Sequence, residues 1–84
     1  MKRTTHEIRY LMLKILSKKQ KNNIESLRQE IGTGFPSILN NAEDLEIFGF
    51  IKTHEIIIGR RKYTELEITE EGKKFLENIR IKFE

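Results

Sequence analysis

Three consecutive cations, Arg60-Arg61-Lys62, come directly after Gly59. Guanidinium and ammonium groups gathered at a turn suit the neutralisation of a polyanion such as a phosphate backbone. A second group, Ser37, Asn40 and Asn41, lies just beyond Pro36 at helical spacing. The Asn amide pairs a donor with an acceptor, which matches the edge of adenine, and a Ser hydroxyl bonds to a base or a phosphate. Arg28, Lys18 and Lys19 add positive charge that could meet further phosphates, as do Lys2, Arg3 and Lys21.

Other chemistries find no support. The chain has no Cys, so thiolate metal sites, disulfides and a Cys nucleophile are all excluded. His6 and His54 each lack a second His at ligand spacing, and no phosphate-binding Gly-rich loop is present. The carboxylate pairs Glu65/Glu67 and Glu70/Glu71 read as a strand's solvent face and a helix N-terminus. We therefore expect no enzyme, no metal and no cofactor. A small-molecule effector is left open, since no residue marks a pocket for one.

At 84 residues the chain is expected to form one domain, residues 1–84, with a small core. Without disulfides or metal, self-association is the remaining reinforcement. No apolar run approaches the length of a membrane span, and the lack of Cys fits a reducing cytoplasm. The net charge of +3 is unevenly spread: residues 1–28 and 59–62 are basic, whereas residues 29–51 hold no Lys or Arg at all.

These side chains need elements to position them. Thr4-Thr5-His6-Glu7 reads as a capping box opening a helix over 4–18, with Ile8, Leu11, Met12, Ile15 and Leu16 on its inner face. Tyr10 and Leu13 lie off that stripe. Ser17 to Asn23 reads as a basic turn, and Leu27 and Ile31 mark a short helix over 25–31 closed by Gly32. Pro36 suits the start of a third helix over 36–48 that ends before Gly49, with Phe35, Ile38, Ala42, Leu45 and Phe48 as its buried stripe. Residues 50–69 alternate as a β-hairpin with the basic run at its tip, and Thr69 caps a last helix over 70–83 carrying Phe75, Leu76, Ile79 and Phe83.

A short helix, a tight turn, a helix and a basic hairpin, in that order, make a helix-turn-helix with a wing attached. The segments Leu45-Glu46-Ile47-Phe48-Gly49-Phe50-Ile51 and Tyr63-Thr64-Glu65-Leu66-Glu67-Ile68-Thr69-Glu70-Glu71-Gly72 are similar to those of winged helix-turn-helix DNA-binding regulators. MarR-like and PadR-like repressors and the small archaeal dimeric winged-helix proteins are the company it resembles, over essentially the whole chain. The resemblance implies an α+β fold: a three-helix core, a β-hairpin wing and a C-terminal helix.

It also implies double-stranded DNA as partner. Ser37, Asn40 and Asn41 would read bases, although Asn41 borders the core side of its helix, and Arg60, Arg61 and Lys62 would hold the backbone or an adjacent minor groove. A homodimer would pair through Tyr10, Leu13, Ile79, Ile81 and Phe83, since the terminal helices carry more apolar surface than one small core uses. Glu43 and Asp44 count against this reading, because carboxylates on the exposed side of the third helix repel phosphates. Two alternatives stand beside it: a sequence-neutral, chromatin-type DNA binder, or a winged helix that binds protein through its acidic third helix.

Overall fold

The computed structural model describes the backbone of residues 4–83 and the side chains of residues 4–79. Its elements run α1 (Thr5–Lys19), β1 (Lys21–Asn23), α2 (Ile24–Ile31), α3 (Phe35–Ile47), β2 (Ile51–Ile58), β3 (Arg61–Ile68) and α4 (Glu70–Phe83).

α1 begins at its cap. Thr4 Oγ1 accepts a hydrogen bond from the Glu7 amide at 3.1 Å, an arrangement worth about 1 kcal/mol over Ala. Ile8, Met12 and Leu16 face the core, and Tyr10 and Leu13 bury a second side of the helix. The reason is position: α1 touches α2, α3, α4 and β3, so it needs a wide apolar circumference. This corrects the assignment of Tyr10 and Leu13 to a subunit interface. Leu13 has no exposed surface and Tyr10 only 6 %, both within the single chain.

The chain leaves α1 through Gln20 at φ 68°, whose amide still donates to the Leu16 carbonyl at 2.6 Å. The basic turn expected over residues 17–23 is replaced in part by a short strand. Lys21–Asn23 pair antiparallel with β3, placing Asn22 opposite Leu66, and complete a sheet of order β1-β3-β2. Asn23 then caps α2, its Oδ1 accepting from the Ser26 amide at 2.7 Å. Ile24, Leu27 and Ile31 anchor this helix in the core.

α3 carries Pro36 in its first turn and buries Ile38, Asn41, Ala42 and Leu45. Its end is a Schellman motif: the Gly49 amide donates to the Glu46 carbonyl and the Phe50 amide to the Leu45 carbonyl, both at 2.9 Å. The reversal needs the left-handed backbone of Gly49, at φ 82°. Phe35 and Phe48, expected in the buried stripe, are instead about half exposed, at 46 % and 53 %. Phe35 is the first residue of the helix and Phe48 its C-cap, so both lie at its ends rather than along its buried stripe.

β2 and β3 pair in register from Ile51–Ile68 at the root to Ile58–Arg61 at the tip. The root is bound to its neighbours at Thr69. Its hydroxyl donates to the Gly49 carbonyl at 2.7 Å and accepts from the Gly72 amide at 3.0 Å, which starts α4. The Thr69 amide donates to the Phe50 carbonyl at 3.0 Å. Phe50 stacks on Phe75 of α4 with ring centroids 4.3 Å apart. The whole is an α+β fold in which three helices form the core, the hairpin is the wing, and α4 lies along α1.

Candidate nucleic-acid interface

The inward face of α3 fixes its outward face. With Ile38, Asn41, Ala42 and Leu45 buried, Pro36, Asn40, Glu43 and Ile47 lie on the opposite side of the turn, and all four are exposed. Ser37 sits between the two faces and is half-buried. Asn40 is thus placed as a readout residue would be, and Ser37 less fully.

Asn41 is not. It is buried, its Nδ2 donates to the Ser37 carbonyl at 2.8 Å, and its Oδ1 accepts from Arg9 Nε at 2.9 Å. Both ends of the amide are engaged inside the protein, so the base-reading role expected for Asn41 is corrected to a structural one. A buried amide left without partners costs about 1–3 kcal/mol, which is what Arg9 prevents.

Arg9 joins α1 to α3 in a second way. Its Nη2 lies 2.5 Å from Asp44 Oδ2, and its guanidinium lies 5.6 Å from the centre of the Phe48 ring. Glu46 is engaged as well, accepting from the Thr53 hydroxyl at 2.5 Å and from the Thr53 amide at 3.2 Å. Asp44 is thus ion-paired and Glu46 hydrogen-bonded to a neutral residue, while Glu43 and Glu46 both remain exposed. In the sequence Arg9 stands out only as a break in the apolar pattern; that break, a cation inside the inner stretch of a core helix, is the one signal of its role.

The cations fall into two groups. Arg60, Arg61 and Lys62 are exposed at the wing tip, with no ion-pair partner among the described residues. Arg28 and Lys19 already have partners. Arg28 forms a close pair with Glu25, holding that carboxyl below its usual range by direct hydrogen bonding, and Lys19 meets Glu30 at 2.7 Å, tying the end of α1 to α2. A phosphate would have to compete with both. Lys18 is exposed beside a cleft of about 310 Å³ between α1 and α4 that Tyr10, Lys14 and Lys73 help to line.

On the sheet, His54 Nε2 lies 3.0 Å from Glu67 Oε1, and this bond holds the Glu67 carboxyl below its usual range. Of the residues expected at a dimer interface, Ile79 is half-buried and lines an open cavity of about 480 Å³ with Arg9, Leu45, Phe48 and Phe75. The side chains of Ile81 and Phe83 lie outside the described residues. No helix among the described residues is long and apolar enough to cross a membrane, and no group of three or more His, Cys, Asp or Glu among them gathers as a metal site.

No family model matches the sequence. A curated relative, the phenylalanine–tRNA ligase alpha subunit of Sulfolobus acidocaldarius, is 42% identical over 65 residues, which is 77% of this chain. The chain spans only 13% of that subunit's length. Among solved structures, smu.1704 from Streptococcus mutans superposes with a TM-score of 0.85 at 21% identity, over 95% of this chain and 78% of its own. A transcriptional regulator homologue from Pyrococcus horikoshii gives a TM-score of 0.77, also at 21% identity, over 86% of this chain and 71% of its own. At such identities the likeness is one of architecture, and it agrees with the element order and topology above: the chain has a winged helix-turn-helix fold.

Proposed function

We propose that the protein is a cytoplasmic, homodimeric transcriptional regulator that binds double-stranded DNA sequence-specifically, with α3 in the major groove and the basic wing on the backbone or the adjacent minor groove. The observation that carries this reading is the handling of charge around α3. Arg9 pairs with Asp44, so Asn40 shares the exposed surface of the helix with Glu43 and Glu46 only, while the wing cations have no ion-pair partner among the described residues. The Asp44 part of the repulsion that the acidic helix would offer to phosphates is thereby offset. The regulator named among the structures of the same fold supports the reading as well.

Asn40 is the base-reading residue of this proposal, Ser37 its half-buried neighbour, and Arg60, Arg61 and Lys62 the backbone contacts. Pairing of two copies runs through Ile79 and the end of α4. A titration of random and selected duplexes at two salt concentrations tests the function. Tight, salt-sensitive binding with a clear preference among sequences is expected. Absence of duplex binding at low salt overturns it, and binding without preference turns it into the chromatin-type alternative.

One observation favours a second reading. The curated relative acts, by its name, on tRNA, and the 42% identity over 65 residues is high for so short a chain. In this reading the wing cations meet the phosphates of a folded RNA. Direct competition between tRNA and duplex DNA for the protein separates the two, since the DNA regulator releases its preferred duplex only at a large excess of tRNA.

A further inference from the structure

The wing tip has an unexpected composition. β1 covers β3 only at residues 65–67, so outward from the Glu55–Thr64 pair the hairpin is a bare two-stranded ribbon. The pairs Ile56–Tyr63, Ile57–Lys62 and Ile58–Arg61 carry it to the Gly59-Arg60 turn, a projection of roughly 10 Å at the usual rise of a strand. Gly59, at φ 62°, supplies the positive backbone angle that a two-residue turn of this kind needs at its first position. Solvation favours polar side chains at such a tip. Ile57 and Ile58 are nevertheless 65 % and 66 % exposed.

Successive strand residues point to opposite faces, while cross-strand partners share a face. The register therefore sets Ile57 beside Lys62 on one face of the ribbon and Ile58 beside Arg61 on the other, with Arg60 at the apex. Each face presents a branched apolar side chain next to a cation. An exposed apolar strand end is a hazard for solubility unless something covers it. The surrounding positive charge, without partners among the described residues, matches a polyanion rather than an apolar protein surface.

We infer that Ile57 and Ile58 form an apolar wedge that enters the minor groove flanking the α3 site and partly unstacks a base step, so that binding kinks the duplex. The inference rests on the duplex-binding reading above. Arg60, Arg61 and Lys62 hold the phosphates on either side while the Ile side chains leave water for the base faces. Ile is among the side chains that serve as such wedges, and the resulting bends are of tens of degrees. Pyrimidine–purine steps unstack most easily, so the wedge adds a preference for them at a position where no hydrogen bond reads the base.

The test uses the full chain and a duplex labelled at its two ends with a donor and an acceptor fluorophore. Wild-type binding is expected to raise energy transfer, and the double variant Ile57→Ser/Ile58→Ser to bind with transfer unchanged from the free duplex. The wild type is also expected to prefer, by about tenfold, a duplex with a flexible two-base mismatch at the wing position, and the variant to lack that preference. Both Ile side chains lie outside the core, so the variant keeps its helical signal and unfolding temperature; Ile58→Ser alone is expected to lose part of the bend. Duplex binding without a bend, or an equal bend in the double variant, overturns the wedge and leaves the duplex reading standing. Failure of the wild type to bind any duplex overturns both. Binding to anionic phospholipid vesicles that the same variant loses, with no duplex bending, gives the tip to a membrane surface and overturns the wedge.

Discussion

Arg9 of α1 donates to both Asn41 and Asp44 of α3, at 2.9 Å and 2.5 Å, from a site 32 and 35 residues earlier in the chain. One guanidinium thus satisfies a buried amide and neutralises a partly exposed carboxylate on the same helix. Arg9→Met keeps much of the apolar stem but leaves Asn41 Oδ1 unpaired. It is expected to destabilise the protein by about 1–3 kcal/mol, read as a lower urea midpoint with unchanged slope. It is also expected to weaken duplex binding at every sequence, because Asp44 is released. Unchanged stability would show that the Asn41 amide finds another partner.

Asn40 and Asn41 are adjacent in sequence and opposite in expected effect. Asn40→Ala should leave the unfolding temperature nearly unchanged and cost about 1–3 kcal/mol of binding on the preferred duplex. Asn41→Ala should lower stability through the loss of two internal hydrogen bonds. Comparing melting curves with binding isotherms for the two variants checks the assignment, and equal losses on every duplex from Asn40→Ala would contradict a readout role.

The wing cations are expected to act without regard to sequence. Arg60→Ala/Arg61→Ala should weaken binding to random and preferred duplexes alike. The slope of log affinity against log salt should become shallower by about 1–2, one phosphate contact accounting for roughly 0.9. An unaltered slope would remove these residues from the phosphate contacts.

Gly72 has no room for a side chain. A Cβ there would stand 2.1 Å from the Phe50 carbonyl oxygen, an atom already fixed by its bond to the Thr69 amide. Gly72→Ala is expected to destabilise the fold by about 1–3 kcal/mol, despite the higher helix propensity of Ala. Thermal unfolding of the variant measures it.

The His54–Glu67 bond gives an acid dependence of definite sign. The folded carboxyl of Glu67 titrates below its usual value of 4.5, chiefly through the hydrogen bond to His54. Its contribution to stability is therefore complete above that value and is lost as the pH falls through the folded one. Urea midpoints taken from pH 7 downward should fall in that acid range, and Glu67→Gln should flatten the fall.

Much of this architecture is written in short-range signals. The Thr4 cap, Pro36 in the first turn of α3, Gly49 at its end and the alternation of Leu66 and Ile68 act within a few residues, and each marks an element that the structure contains. β1 is not legible, because Lys21-Asn22-Asn23 has no strand character and is extended only through its pairing with β3. Tyr10 and Leu13 mislead for a related reason: how many sides of α1 are covered depends on what α2, α3 and α4 do, not on its own period. The candidate site is legible where helical geometry alone decides, as at Asn40, and illegible at Asn41, where a partner from another helix decides.

The clasp at Thr69 also governs where the chain can change length. Its bonds to Gly49 and Phe50 on one side and Gly72 on the other leave no slack at the root of the hairpin. One residue added or removed there would shift the pairing and turn the faces of the strands over. At the Gly59-Arg60 apex no such bonds intervene among the described residues, and extra residues would only extend the ribbon. Variation in how far the wing reaches, whether by natural drift or by engineering, is thereby channelled to the tip, while the base keeps α3 and α4 in fixed relation.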